Sequence, residues 1–296
     1  MRIACVAASV RRMECWVDHP FAGKDLMTKV FRSMALALAV PLGILAACND
    51  SSASNPGEAP TLPSANSMRA DFSLFDQTAV SNTAAATIGG ANFLAAAFSV
   101  TVANAVTTLV MAVPVATFAA AASQDPVFEE GAFHWRYSTV VNGQSFAANL
   151  SAQGSGSNAL WEMRISASGT NPPLDDFLYY SGSAALSGES GTWHVFDAAQ
   201  PTANRELLRI DWTHANATNW SVSVNNVTAG TPDNGDRLTY DVNADARSVT
   251  FLDASAATTT TVEWNAATHT GSIHAPDFNG GIKACWDAQL QNIGCP

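Results

Sequence analysis

The side chains that could support acid–base or metal chemistry are histidines and a few neighbouring carboxylates. Five histidines follow residue 50, and they are His134, His194, His214, His269 and His274. No two of them have three residues between them, the spacing that metal ligands show on one face of a helix. Asp175 and Asp176 are adjacent in what we predict to be a proline-rich loop, where solvated charge is the ordinary interpretation and a glycosidase pair is the alternative. We therefore predict no metal, no cofactor and no catalytic residue, and we expect the protein not to be an enzyme.

The cysteines fall into three groups by position. Cys5 and Cys15 lie in the first 26 residues, and Cys48 ends an apolar run. Cys285 and Cys295 are ten positions apart near the C-terminus. In an oxidising compartment such a pair forms a disulfide, which contributes roughly 2–3 kcal/mol through loop entropy. Free thiols and a metal site are the alternatives, and a metal site would need ligands besides two cysteines.

Tryptophan recurs about once per predicted hairpin in the C-terminal half of the chain. The residues concerned are Trp135, Trp161, Trp193, Trp212, Trp220 and Trp264. Large aromatic side chains at such regular positions are typical of the buried face of a sheet. The functional alternative is the wall of an apolar pocket or a stacking platform for sugars. We treat the six residues as a candidate aromatic pocket or core.

The overall composition excludes one class of partner. The chain of 296 residues has 14 basic and 25 acidic side chains, for a formal charge of −11. A nucleic-acid surface needs clustered cations to neutralise phosphates, so we expect no nucleic-acid partner. Apolar residues make up 47% of the chain and charged residues 13%, which is enough apolar material for one large core.

Residues 27–47 have the layout of a secretory signal, in which cations precede a short apolar run. The run is too short to span a bilayer, which takes about 20 apolar residues. It ends in Leu45-Ala46-Ala47-Cys48. This motif resembles the lipobox of bacterial lipoproteins. The resemblance implies that Cys48 becomes the first residue of the mature chain and carries acyl chains such as palmitate, which attach the protein to a membrane.

The lipobox divides the chain into four parts. Residues 1–26 contain acidic side chains that signal peptides avoid, so we interpret them as a misassigned leader with Met27 as the start. The signal peptide is followed by a polar segment, 48–70, which we predict to be a disordered tether. Residues 71–296 then form a single domain. Asn49 follows the cysteine where inner-membrane lipoproteins carry aspartate, so the resemblance implies the cell envelope, and the outer membrane rather than the inner one.

The first part of this domain is strongly apolar. No charged residue occurs between Asp76 and Asp125, and residues 91–113 are apolar on nearly every face. Pro114 is expected to interrupt the helix and to start a short second one, so the helical region extends over about 91–122. A helix that is apolar all round is buried in protein or in a membrane. We predict a buried helix, with membrane insertion as the alternative.

From about residue 131 to 275 the apolar residues alternate with polar ones, which predicts strands. The candidate strands are 133–137, 146–150, 161–165, 177–181, 192–196, 207–212, 220–224, 238–242, 248–252, 258–264 and 271–274. Short turns such as Asn142-Gly143 connect them, and short turns produce antiparallel neighbours. We therefore predict a mainly β fold, an antiparallel meander of about eleven strands. So many strands should curl into a barrel or half-barrel, or form two layers, with the apolar helix on the concave face.

A second resemblance covers residues 130–296. The segments that carry it are Trp161-Glu162-Met163-Arg164, Gly191-Thr192-Trp193, Ala284-Cys285-Trp286-Asp287 and Leu290-Gln291. They are similar to segments of uncharacterised exported lipoproteins of bacteria, and this likeness implies no activity. We expect a non-catalytic binding or envelope-structural lipoprotein, with an apolar ligand as one candidate and no protein partner identified. The alternative is a surface glycan-binding module or a weak glycoside hydrolase.

Overall fold

The computed structural model describes residues 58–62, 71–76, 90–141, 143–216 and 218–296. The predicted leader, the signal peptide and Cys48 lie outside these residues. Most of the predicted tether does so too. Ala59 and Leu62, which fall within the predicted tether, are partly buried against the hydrophobic core.

In this part of the chain, two α-helices precede one sheet of fourteen strands. The helices are α1 (Ser73–Asp76) and α2 (Ala91–Ala121). The strands are β1 (Val127–Glu129), β2 (Ala132–Val141), β3 (Gln144–Ser155), β4 (Asn158–Ala167), β5 (Leu174–Ala185), β6 (Ser190–Phe196), β7 (Glu206–Asn216), β8 (Asn219–Asn226), β9 (Arg237–Asn243), β10 (Ala246–Asp253), β11 (Thr258–Asn265), β12 (Gly271–His274), β13 (Ala284–Trp286) and β14 (Asn292–Ile293). Each strand pairs antiparallel with the next strand in the chain, so the sheet is a meander.

The mainly β antiparallel prediction is confirmed, and the number of strands is corrected from eleven to fourteen. The eleven predicted strands correspond to β2 through β12. The additional strands are β1, β13 and β14, which have three, three and two residues. Alternating burial is recognised over about four to eight residues, so strands of two or three residues cannot be detected from this pattern.

The sheet is not closed into a barrel, and that alternative of the prediction is wrong. The hydrogen-bonded order runs from β1 to β14 without a pairing between these two strands. Closure would require long complementary edges, because a barrel is held by hydrogen bonds around its whole circumference. The strands at both edges are the short ones, so they offer few backbone groups for such a pairing.

Helix α2 continues through Pro114, where the sequence predicted a break. An interior proline removes one hydrogen bond of the helix and usually kinks it. Phe118, one turn beyond the proline, is 2% exposed and packs against aromatic side chains of the sheet. We attribute the continuity of the helix to this packing, which holds the C-terminal turns in place.

Only one face of the N-terminal half of α2 is buried. Phe93 and Val100 are fully covered, whereas Phe98 is 61% exposed. The prediction of a buried helix therefore holds for the face that packs on the sheet and is wrong for the opposite face. Within the described ranges, no helix has the length and apolar character needed to cross a membrane.

The C-terminal strands hold the start of α2. Backbone N–H groups of the first helical turn lack partners within a helix and need acceptors from elsewhere. The Oδ1 atom of Asn292 accepts the backbone N–H of Asn92 at 3.0 Å, and the Asn92 side chain donates to the carbonyl of Cys285 at 2.7 Å. The predicted disulfide between Cys285 and Cys295 is present in the same region. The cap of α2 is thus supplied by residues about 200 positions further along the chain.

Helix α1 and the residue before it bring two more aromatic rings to the core. Phe72 contacts Tyr240 edge to face at a centroid distance of 5.1 Å. Phe75 contacts Trp264 at 5.0 Å and stacks on Phe93 of α2 at 5.4 Å. The segment that precedes α2 is therefore anchored between the sheet and the start of α2.

Candidate functional site

The candidate site is the sheet face that α2 covers, and we call it the tryptophan face. Five of the six predicted residues lie on this face, and each is at most 5% exposed. They are Trp135, Trp161, Trp193, Trp212 and Trp264. Trp220 is only half-buried and packs on Tyr240 at a centroid distance of 4.9 Å. The covered rings offer no exposed platform on which a sugar could stack.

Strand register explains why these tryptophans share a face. Trp161 of β4 and Trp193 of β6 both lie opposite Gly182 of the intervening strand β5. Trp212 of β7 lies opposite Gly191 of β6. Residues directly opposite one another in an antiparallel sheet point to the same face, so the indole rings flank glycines on neighbouring strands.

The glycines are needed because the indoles lie over the adjacent backbone. A Cβ atom added to Gly182 would come within 2.6 Å of Cε3 of Trp193, and one added to Gly191 within 2.7 Å of Nε1 of Trp212. Gly271 has the same relation to Trp286, with Cε2 at 2.8 Å. Our sequence analysis missed these pairs. The signal was present, because glycine inside a strand often marks the close approach of another group.

Phe118 of α2 fills the centre of the tryptophan face. Its ring contacts Trp161 at a centroid distance of 5.5 Å, Trp193 at 5.4 Å and Tyr180 at 6.3 Å. Tyr180 is fully buried and contacts Trp193 at 5.4 Å. Neither Phe118 nor Tyr180 was among the predicted site residues, since nothing in their local sequence distinguishes them from other core aromatics.

Three indole N–H groups on this face have no hydrogen-bond partner among the residues that the structure describes. They belong to Trp161, Trp193 and Trp212, and the Nε1 atoms are buried. By contrast, Nε1 of Trp286 donates to the carbonyl of His269 at 2.8 Å. A buried donor without an acceptor costs about 1–3 kcal/mol, and such groups are rare in native proteins. Each of the three donors would therefore gain from an acceptor supplied by another molecule.

Tyr240 shows how a polar aromatic group is satisfied elsewhere on this face. Its hydroxyl donates to the carbonyl of Asp71 at 3.0 Å. Burial raises the pKa of Tyr240 to about 12, so the hydroxyl stays protonated and remains a donor at neutral pH. The contact ties the segment before α1 to the sheet.

The histidines do not come together in a common site. His194 pairs with Glu206 at 2.8 Å, His134 with Asn149 at 3.2 Å, and His274 with the carbonyl of Gly281 at 3.1 Å. The remaining two, His214 and His269, lie beside Trp220 and Trp286 respectively. In the part of the chain that can be described, no three potential metal ligands form a group.

The paired carboxylates lie in a strand and not in the loop that the prolines suggested. Asp175 and Asp176 are exposed residues near the start of β5, where the pairing with β4 is irregular. Asp176 accepts a hydrogen bond from Arg164 at 3.1 Å. This carboxylate is therefore engaged in a surface ion pair.

The opposite, polar face of the sheet carries two shallow depressions. One, of about 350 Å³, lies over β5 to β8 and is lined mainly by short hydroxyl side chains such as Ser183 and Thr192. Both oxygens of Asp211 in this depression are engaged, by Thr192 at 2.8 Å and Asn225 at 3.2 Å. The other, of about 420 Å³, lies over β9 to β12 and includes Glu263. A hydrogen bond from Lys283 holds the pKa of Glu263 below its usual value.

The protein is thus a mainly β domain. One face of its long meander sheet is aromatic and packs against helix α2. The chain matches no protein-family profile, no curated protein and no solved structure.

Proposed function

We propose that this protein is an exported lipoprotein of the cell envelope, anchored through acyl groups on Cys48 and with a non-catalytic binding role. The lipobox Leu45-Ala46-Ala47-Cys48 supports the anchor. The disulfide Cys285–Cys295 is consistent with export, because disulfides persist in oxidising compartments. Asn49 after the lipobox cysteine supports the outer membrane as the destination.

The finer shape that we propose is a half-barrel that curves around α2. This helix approaches β2 near one edge of the sheet and β11 to β14 at the other. In a flat sheet β2 and β14 would be about 58 Å apart at about 4.8 Å per strand. A helix of 31 residues is only about 46 Å long, so curvature of the sheet explains both contacts.

The observation that carries the binding role is the set of three buried indole donors of Trp161, Trp193 and Trp212. The surrounding surface is aromatic, so a suitable ligand has an apolar body and an oxygen that accepts hydrogen bonds. An acyl chain with a carboxyl or ester group has this chemistry. Because Phe118 occupies the centre of the tryptophan face, binding requires the C-terminal part of α2 to move away from the sheet.

Two measurements test this function. For the anchor, the intact mass of protein purified from membranes is expected to correspond to a chain that starts at Cys48 and carries acyl groups. For the ligand, native mass spectrometry after mild extraction is expected to find an apolar molecule bound, and cis-parinaric acid is expected to bind the emptied protein. Protein that is found without a ligand and fails to bind this probe would refute the binding role.

A matched pair of variants tests the indole donors. Trp193→Phe keeps an aromatic ring but removes an unpartnered donor, so it is expected to weaken probe binding roughly three- to tenfold, the equivalent of about one neutral hydrogen bond. Trp286→Phe removes a donor that is already paired with His269 and is expected to leave probe affinity unchanged. Equal effects of the two substitutions on probe affinity would contradict the assignment.

A further inference from the structure

The face of α2 that points away from the sheet carries an exposed apolar stripe. Leu94, Phe98 and Val102 are 37%, 61% and 37% exposed. They are four residues apart, so their side chains lie along one line of the helix surface. The helix contains no charged residue, and the stripe is therefore not bordered by charges of its own helix.

The start of the stripe lies beside helix α1. Phe75 of α1 stacks on Phe93, the residue next to Leu94. Cys48 precedes Glu58, the first described residue, by ten positions. Ten residues span at most about 36 Å whatever their conformation. An anchor at Cys48 therefore keeps Glu58 within about this distance of the bilayer, and the neighbouring Ala59 and Leu62 pack against the core of the domain.

We propose that the stripe formed by Leu94, Phe98 and Val102 is a membrane-contact surface that rests at the boundary between phospholipid headgroups and acyl chains. The proposal rests on the anchor at Cys48 proposed above. A tethered surface experiences a high effective concentration of its partner, so even a weak apolar contact is occupied.

The test places a fluorophore on the stripe and on a control position. Phe98→Cys is labelled with an environment-sensitive dye in the acylated protein, which is then reconstituted into phosphatidylcholine vesicles with or without brominated acyl chains. Leu160→Cys is the matched control, because Leu160 is 47% exposed and pairs with Ser183 on the polar face of the sheet. The label at position 98 is expected to shift to the blue and to be quenched about twofold by bromine, since interfacial side chains reach about 5–10 Å into the bilayer.

Two results would overturn the proposal. The first is a label at position 98 that stays water-like on vesicle-bound protein, as the label at position 160 is expected to do. The second is shielding of the label in the absence of vesicles that increases with protein concentration, because this would assign the stripe to contact with a second copy.

Failure of the anchor can be distinguished from failure of the stripe. If the intact mass shows no acyl group on Cys48, the proposed anchor is refuted. The stripe is then tested with Cys48 coupled to a maleimide phospholipid in a chain carrying Cys5→Ser and Cys15→Ser, with the dye attached at position 98 through an azide-bearing amino acid so that it does not compete for the thiol reaction. In that arm, shielding of the label at position 98 by lipid supports the contact surface, and a water-like label overturns it.

Discussion

At the scale of single residues, the clearest electrostatic feature is a group of three buried carboxyls beside the loop that connects β8 to β9. They belong to Asp233, Asp236 and Asp253. Asp236 is 4% exposed and accepts the backbone N–H of Ala254 at 2.9 Å. Burial raises the pKa of Asp236, and the negative charges of Asp253 and Asp233 raise it further, while the hydrogen bond from Ala254 opposes the shift. The folded protein therefore disfavours the ionised form of this side chain.

Because the surroundings of Asp236 disfavour its negative charge, we expect Asp236→Asn to stabilise the protein at neutral pH. The pKa of Asp236 in the folded protein lies above the unfolded value near 3.8, so the folded state binds this proton more tightly. Protonation of Asp236 therefore contributes to the free energy of unfolding at low pH. That contribution is lost as the pH rises through the folded-state pKa. Asparagine keeps the acceptor for Ala254 without the charge, so the free energy of unfolding in urea is expected to increase at pH 7. The gain should shrink towards pH 4.

Asp245→Asn provides the control for this experiment. Asp245 is an exposed residue in the turn between β9 and β10, and its substitution is expected to leave the free energy of unfolding nearly unchanged at both pH values. A loss of stability for Asp236→Asn at pH 7, or a gain that does not depend on pH, would contradict the prediction.

At the scale of elements, the pairing of glycine with tryptophan across strands sets how closely β5 and β6 can pack. Gly182→Ala would place a methyl group against the ring of Trp193 and the backbone carbonyl of Thr192. A backbone atom of a central strand cannot move aside easily, so the free energy of unfolding is expected to fall by about 3 kcal/mol. Chemical denaturation at pH 7 measures the change.

Gly154→Ala is the matched comparison within the same sheet. A Cβ atom at Gly154 of β3 would meet nothing within 4 Å. Replacing glycine in a strand by alanine without strain is expected to stabilise by about 0.5 kcal/mol, because the unfolded chain loses conformational freedom. Similar destabilisation by both substitutions would show that the cross-strand tryptophan is not the cause.

The sequence was most informative where burial alternates over many residues. In β4, for example, Trp161 and Met163 are buried while Leu160 and Glu162 are exposed. This pattern predicted β2 to β12 and the common face of the tryptophans. The glycines opposite them were not predicted, because the relation joins residues on different strands and becomes visible only when the register is known.

The helix shows which properties depend on the rest of the fold. Composition predicted its extent, since the predicted range 91–122 differs by one residue from Ala91–Ala121. Local rules predicted a break at Pro114, but the packing of Phe118 on the sheet outweighs the lost hydrogen bond. The exposure of Phe98 could not be predicted either, because an apolar pattern on every face does not reveal which face is covered.

At the scale of the whole molecule, the disulfide stabilises the region where the C-terminal strands meet the start of α2. Cys285 lies in β13, and its carbonyl accepts a hydrogen bond from Asn92 at the start of α2. Removal of the disulfide in Cys295→Ser is expected to lower the free energy of unfolding by about 2–3 kcal/mol, mainly because the unfolded chain gains freedom. Urea unfolding under oxidising conditions measures this change.

Reduction of the wild-type protein offers an independent check on the same bond. Dithiothreitol is expected to lower the stability of the wild type to that of Cys295→Ser and to have no effect on the variant. A wild-type protein whose unfolding is insensitive to the reductant would contradict the prediction.

The meander order has a consequence for the way the domain assembles during synthesis. Each strand finds its partner in the segment made just before it, so the sheet can grow one hairpin at a time from β1 onwards. Helix α2 emerges from the ribosome before any of the described strands, yet its first turn is capped by Asn292 of β14, which follows all the other strands of the sheet. The first turn of α2 therefore gains its cap only after β14 has been made, whereas Phe118 near the other end of the helix packs on strands that are made much earlier.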